Sequence, residues 1–93
     1  MSRTYLYVFT PNGFDVKDVT SYLDSVEGVE DWFFSIPNSI FIVGTTVTAR
    51  KLSSLLRGRF GDHRHFVTLI PQKGRAGWLP KDHWNLFAPD ENV

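Results

Sequence analysis

Residues Trp32 to Thr45 read WFFSIPNSIFIVGT, two apolar, β-prone runs joined across Pro37, Asn38 and Ser39. Aromatic and β-branched side chains suit a pleated, half-buried surface, and Pro-Asn-Ser is turn chemistry, so this stretch predicts a buried β-hairpin. Its surroundings restrict the fold further. One strand pattern and one helix pattern precede it, and one helix pattern and one strand pattern follow it. The order βαββαβ predicts an α+β sandwich: a four-stranded antiparallel sheet with two helices on one face.

The flanking segments carry local signals of their own. Arg3 to Thr10 alternates Tyr5, Tyr7 and Phe9 with Leu6 and Val8. Both faces are apolar, which predicts a central strand. Pro11-Asn12-Gly13 turns the chain, Asp15 is a candidate N-cap, and Asp18 completes a near capping box. Val16, Val19, Tyr22, Leu23 and Val26 then form one helical stripe, stopped at Gly28. Thr46 or Thr48 caps a second helix with the stripe Ala49, Leu52, Leu55, Leu56 and Phe60. Arg57 and Arg59 suit the dipole of its last turn. His63 to Ile70 predicts the fourth strand, ended by Pro71.

The 93 residues fit one domain, with a core over 1–71 and a docking tail over 72–93. Trp78, Leu79, Trp84, Leu86 and Phe87 make that tail too apolar to leave in water, and Pro80 opens a short helix within it. With no cysteine, a disulfide framework and thiolate metal ligation are both excluded. No apolar run approaches the ~20 residues of a membrane span, and the first residues, MSRTYLYVF, lack an extended h-region, so the expectation is a cytoplasmic protein without membrane contact. The zero net charge is unevenly spread: acids dominate up to Val47 and bases beyond it. Such polarity suits contact with a polyanion or with a second copy.

Candidate chemistry is sparse. Arg57, Arg59, Arg64, Lys73 and Arg75 are the candidate nucleic-acid contacts, a group expected to bind without sequence preference and to weaken with salt. Tyr5, Tyr7 and Phe9, together with Trp32, are assigned to the sheet face away from the helices. There they either stack bases or pack against the tail or a second subunit. The third strand, SIFIVG, lacks the basic-glycine-aromatic pattern of base-stacking sheets, so Tyr5, Tyr7, Trp32, Trp78 and Trp84 are read as packing or interface residues. His63 and His65 project to one side of a strand and are only two metal ligands; Asp62 or His83 could complete a site, but the spacing matches no known metal pattern. Histidine and arginine discouraging pairing at a sheet edge is the simpler account, with general acid-base catalysis a further alternative. Gly74-Arg75-Ala76-Gly77-Trp78 lacks the Lys-Ser/Thr of a phosphate loop, and its glycines turn Trp78 back toward the sheet. No catalytic constellation, metal site or cofactor is assigned.

With its Tyr7-Val8-Phe9-Thr10 strand end, Trp32-Phe33-Phe34 strand, Pro37-to-Val43 turn and strand, and Arg75-Ala76-Gly77-Trp78-Leu79 tail, the chain resembles the small bacterial SinR-like proteins. These are similar to the CRISPR-associated adaptation nuclease subunit and the VapD group. The resemblance implies a ferredoxin-like domain that pairs as a homodimer through its sheet and C-terminal segment. Nuclease members of that wider group carry a metal-binding aspartate at the end of the first strand. Here Thr10 stands there, with Asn12 and Asp15 further along, and a hydroxyl does not replace a carboxylate on a divalent ion. The expectation is therefore a non-catalytic, dimeric domain that binds a protein or nucleic acid. A metal-dependent endonuclease is the alternative.

Overall fold

The computed structural model describes residues 2–71, 77–78, 81–84 and 86. In chain order these form β1 (Arg3–Phe9), α1 (Val16–Leu23), β2 (Val29–Phe33), β3 (Ser39–Gly44), α2 (Ala49–Phe60), β4 (His65–Ile70) and the short α3 (Lys81–Trp84). The strands make one antiparallel sheet in the order β2-β3-β1-β4. With α1 and α2 on one face, this is the ferredoxin-like α+β arrangement that the element order predicts.

The first helix begins where its cap dictates. An Asp15 carboxylate oxygen accepts from the Asp18 N–H at 3.0 Å, and an Asp18 carboxylate oxygen accepts from the Asp15 N–H at 2.9 Å. Two donors that the helix leaves orphaned are thereby satisfied. The helix ends sooner than its apolar stripe suggests. Ser25 turns both its N–H (2.9 Å) and its hydroxyl (2.7 Å) onto the Tyr22 carbonyl, competing with helical continuation. At α2 the Thr48 hydroxyl accepts from the Lys51 N–H, and Gly61 closes the helix at φ 80°.

The hairpin forms with a shifted first arm. β2 starts at Val29 and ends at Phe33, so Phe34 to Asn38 make a wider loop than a tight Pro-Asn-Ser turn. Glu30 and Asp31 hide the strand's start in the sequence: Val29 and Asp31 pair with Gly44 and Val43 of β3 across a register shift at Glu30, so pairing, not apolar alternation, carries the strand here. The loop closes through the Ser39 hydroxyl on the Ile36 carbonyl (2.6 Å) and Asn38 at φ 58°.

Tyr5, Tyr7 and Phe9 lie beneath the helices, packed with Val19 and Leu23 of α1, Leu52 and Leu56 of α2, and Ile40 and Ile42 of β3. This corrects their assignment to the uncovered face. Alternation separates the two faces of a strand, but it does not say which face the helices take. Trp32 sides with this core as well. The opposite face carries Leu6, Phe33, Phe41, Val43 and Ile70 as a second cluster. There α3 reaches it: the His83 ring lies 6.3 Å from Phe33 and shares a 2.8 Å hydrogen bond with the Ser35 hydroxyl.

Close backbone approach fixes the hairpin base. The Thr45 N–H donates to the Gly28 carbonyl at 2.9 Å, and a Cβ on Gly44 would meet that same carbonyl oxygen at 2.7 Å and a Val47 methyl at 2.5 Å. Gly44→Ala is therefore expected to destabilise the domain by about 1–3 kcal/mol, the usual penalty for overpacking. Gly58→Ala, which meets nothing within 4 Å, is the matched control in a urea titration.

Candidate functional site

The best-organised polar cluster joins β1, α2 and the start of β4. The His63 and His65 rings lie 4.5 Å apart. Each Nδ1 sits 2.8 Å from a backbone carbonyl, that of Gly61 for His63 and that of His63 for His65. A carbonyl only accepts, so each Nδ1 carries its proton, and in the neutral ring each Nε2 is an acceptor. The acceptors are filled. The Tyr7 hydroxyl donates to His63 Nε2 at 2.7 Å, and the Ser53 hydroxyl donates to His65 Nε2 at 2.6 Å.

This geometry decides between the readings of the two histidines. They do not decorate the β4 edge, as the sequence reading has it. His65 turns inward to α2, and His63 turns to the buried Tyr7. Ser53 and His65 have the spacing of a nucleophile and its base, with the His63 carbonyl orienting the ring. However, Ser53 sits inside α2, where the backbone N–H groups that would form an oxyanion hole are consumed by helical carbonyls. The cluster ties α2 to the sheet. The sequence offered no hint of the Ser53–His65 pair, because it depends on which helix turn lies over β4.

The arginines gather at the same end of the domain, but two are already engaged. Arg57 donates to Asp62 Oδ1 through Nε (3.1 Å) and Nη2 (2.8 Å). The Arg59 guanidinium lies 5.3 Å from the centre of the Phe60 ring. Arg64 is exposed, and its carbonyl accepts from the Thr10 N–H at 2.9 Å. Lys73 and Arg75 lie outside the described residues, as does the Trp84 side chain. Trp78 is described and is 89 % exposed, so it does not fold back onto the sheet.

Thr10 follows the last residue of β1 and is exposed, and the Asp15 carboxylate is taken by its helix cap. Among the described residues no group of three or more His, Asp or Glu is placed to hold a metal ion, and no helix is long and apolar enough to cross a membrane.

The two sheet edges differ sharply. On β2, Glu30 and Asp31 place charge on the edge, the register shifts between Val29 and Asp31, and Asp31 Oδ1 accepts from the Trp32 N–H at 2.8 Å. Such devices block pairing with another strand. β4 has none of them: HFVTLI carries no Lys, Arg, Asp, Glu or Pro, with Phe66 65 % and Leu69 49 % exposed. The Thr10–Arg64 bond, carried along the Phe9↔His65 register, turns the backbone groups of Phe66, Thr68 and Ile70 toward β1. Those of His65, Val67 and Leu69 therefore point outward.

Comparison with known protein families, curated proteins and solved structures finds no match.

Burial raises the Tyr7 hydroxyl well above its usual 10.0. The unfolded chain releases this proton near pH 10 while the folded chain keeps it, so stability is to fall as pH rises from about 10. In urea titrations between pH 8 and 11, Tyr7→Phe is expected to lose about 1 kcal/mol at pH 8 and to show a flatter alkaline decline than the wild type.

Proposed function

We propose that this chain is a non-catalytic protein-interaction domain that works as a homodimer, joined edge to edge along β4. The observation that carries the reading is the contrast between edges: β2 is guarded, whereas β4 offers outward N–H and C=O groups flanked by apolar side chains. An edge of that kind is a template for strand addition, and closed two-fold pairing satisfies it without building fibres.

A two-fold axis through Thr68 suits the chemistry. It sets Thr68 opposite Thr68 of the partner subunit, Val67 opposite Leu69, and Phe66 opposite Ile70. Apolar residues then face apolar residues, and the threonines face each other, both favourable cross-strand pairings. Val67 and Leu69 are the residues whose backbone groups point outward, so the ladder bonds fall where donors and acceptors stand. The homodimer implied by the SinR-like resemblance is compatible with this edge.

Binding to nucleic acid is the weaker reading, because among the described candidates Arg57 and Arg59 already have partners within the chain, which leaves Arg64 as a shallow electrostatic footprint. A metal-dependent nuclease has less support still, with Thr10 at the expected acid position and Asp15 committed to its cap.

Light scattering after size exclusion is expected to return about twice the chain mass of 10.7 kDa at ~100 µM. Thr68→Lys, which sets two ammonium groups face to face at the axis, is expected to return the monomer mass with unchanged circular dichroism. A monomeric wild type, or a Thr68→Lys protein that stays dimeric, contradicts the proposal.

A further inference from the structure

Between α1 and the loop following β2 lies a cleft of about 670 Å³, in the size range of small-ligand sites. Its walls are mostly apolar. Trp32 and Phe34 present rings only 9° from parallel with centroids 6.4 Å apart, and Phe34 and Ile36 are about half exposed. The wall is held in place before any ligand arrives: Trp32 Nε1 donates to Asp24 Oδ1 at 2.7 Å, which fixes the indole.

The polar groups of the cleft divide into two sets. The hydroxyls are occupied: Thr20 donates to the Lys17 carbonyl, Ser39 to the Ile36 carbonyl, and Ser35 is bonded to His83. The Lys17 ammonium and the Asn38 side-chain amide have no partner among the described residues. Among the described residues, Lys17 is also the one ionisable residue lining the cleft. Flat aromatic walls with one free cation and one free amide match a flat aromatic body carrying one acid group. Parallel rings favour a planar ligand over a flexible chain, because they stack a π-face along its whole area. The free ammonium favours a carboxylate over a neutral or cationic substituent.

We infer that this cleft is a binding site for a small aromatic carboxylate, received against Trp32 and Phe34 with its acid group at Lys17 and Asn38. The site is separate from the β4 edge, so it stands whether or not the chain dimerises.

The test is a titration of the full ¹⁵N-labelled chain with 2-naphthoate, and with 2-naphthalenemethanol as its neutral counterpart, followed by amide shifts. Saturable shifts confined to Val16–Thr20 and Trp32–Ser39 are expected at millimolar ligand or below. Lys17→Gln is expected to weaken 2-naphthoate about threefold to fivefold, as for an exposed ion pair, and to leave the alcohol unchanged. Phe34→Ala, at an exposed position where the fold is read from the same spectrum, is expected to weaken both ligands about threefold to tenfold. Shifts that do not saturate, that fall elsewhere, or that are unaffected by Phe34→Ala overturn the site. Equal weakening of acid and alcohol by Lys17→Gln overturns the choice of a carboxylate.

Discussion

The structure depends on β1 being buried from one side by both helices and held from both edges by neighbouring strands. Tyr5, Tyr7 and Phe9 form the stripe over which α1 and α2 close, and Tyr7 is 0 % exposed although it carries a hydroxyl. A buried hydroxyl needs an acceptor, and His63 supplies it. That need positions the chain between α2 and β4: His63 is held by the Gly61 carbonyl, His65 by that of His63, and Ser53 of α2 closes the group. Core packing and the start of β4 are thus parts of one arrangement. The histidines, which in the sequence look like surface chemistry, are internal struts.

Packing both helices on one face leaves the other to be covered by something else. Part of that duty falls to the tail, where α3 brings His83 against Phe33 and Ser35. The cover does not extend over the whole face. Phe33, Phe41 and Val43 on the β2–β3 side are buried, whereas Val8 and Phe66 on the β1–β4 side remain open. The uncovered part of the face therefore adjoins the β4 edge on which the proposed pairing rests.

Much of the fold was legible because it rests on short-range patterns. The capping box at Asp15 and Asp18, the Thr48 cap, the apolar alternation of β1 and the short helix after Pro80 are all readable within a few residues. What failed depends on contacts between distant segments. Alternation separates Tyr5, Tyr7 and Phe9 from Leu6 and Val8, yet only helix packing decides which set is buried. The strand runs through Glu30 and Asp31 because Val29 and Asp31 pair with β3 on either side of a register shift, a cause invisible in their own chemistry. Arg57 and Arg59 are a different case: they read as a positive patch although their partners, Asp62 and the Phe60 ring, are near neighbours in the chain, because side-chain direction at the helix end decides those contacts. The aromatic cleft combines the first turn of α1 with a loop about twenty residues later, so no linear motif announces it.

Pairing along β4 can be read directly from its backbone, because its N–H and C=O groups alternate in direction. Residue-resolved amide hydrogen exchange, measured on concentrated and on dilute protein, reads that alternation. Phe66, Thr68 and Ile70 are expected to be protected at both concentrations, since their N–H groups bond to β1. Val67 and Leu69 are expected to be protected only in the concentrated sample and to exchange quickly on dilution. Fast exchange at Val67 and Leu69 under both conditions would contradict pairing along β4.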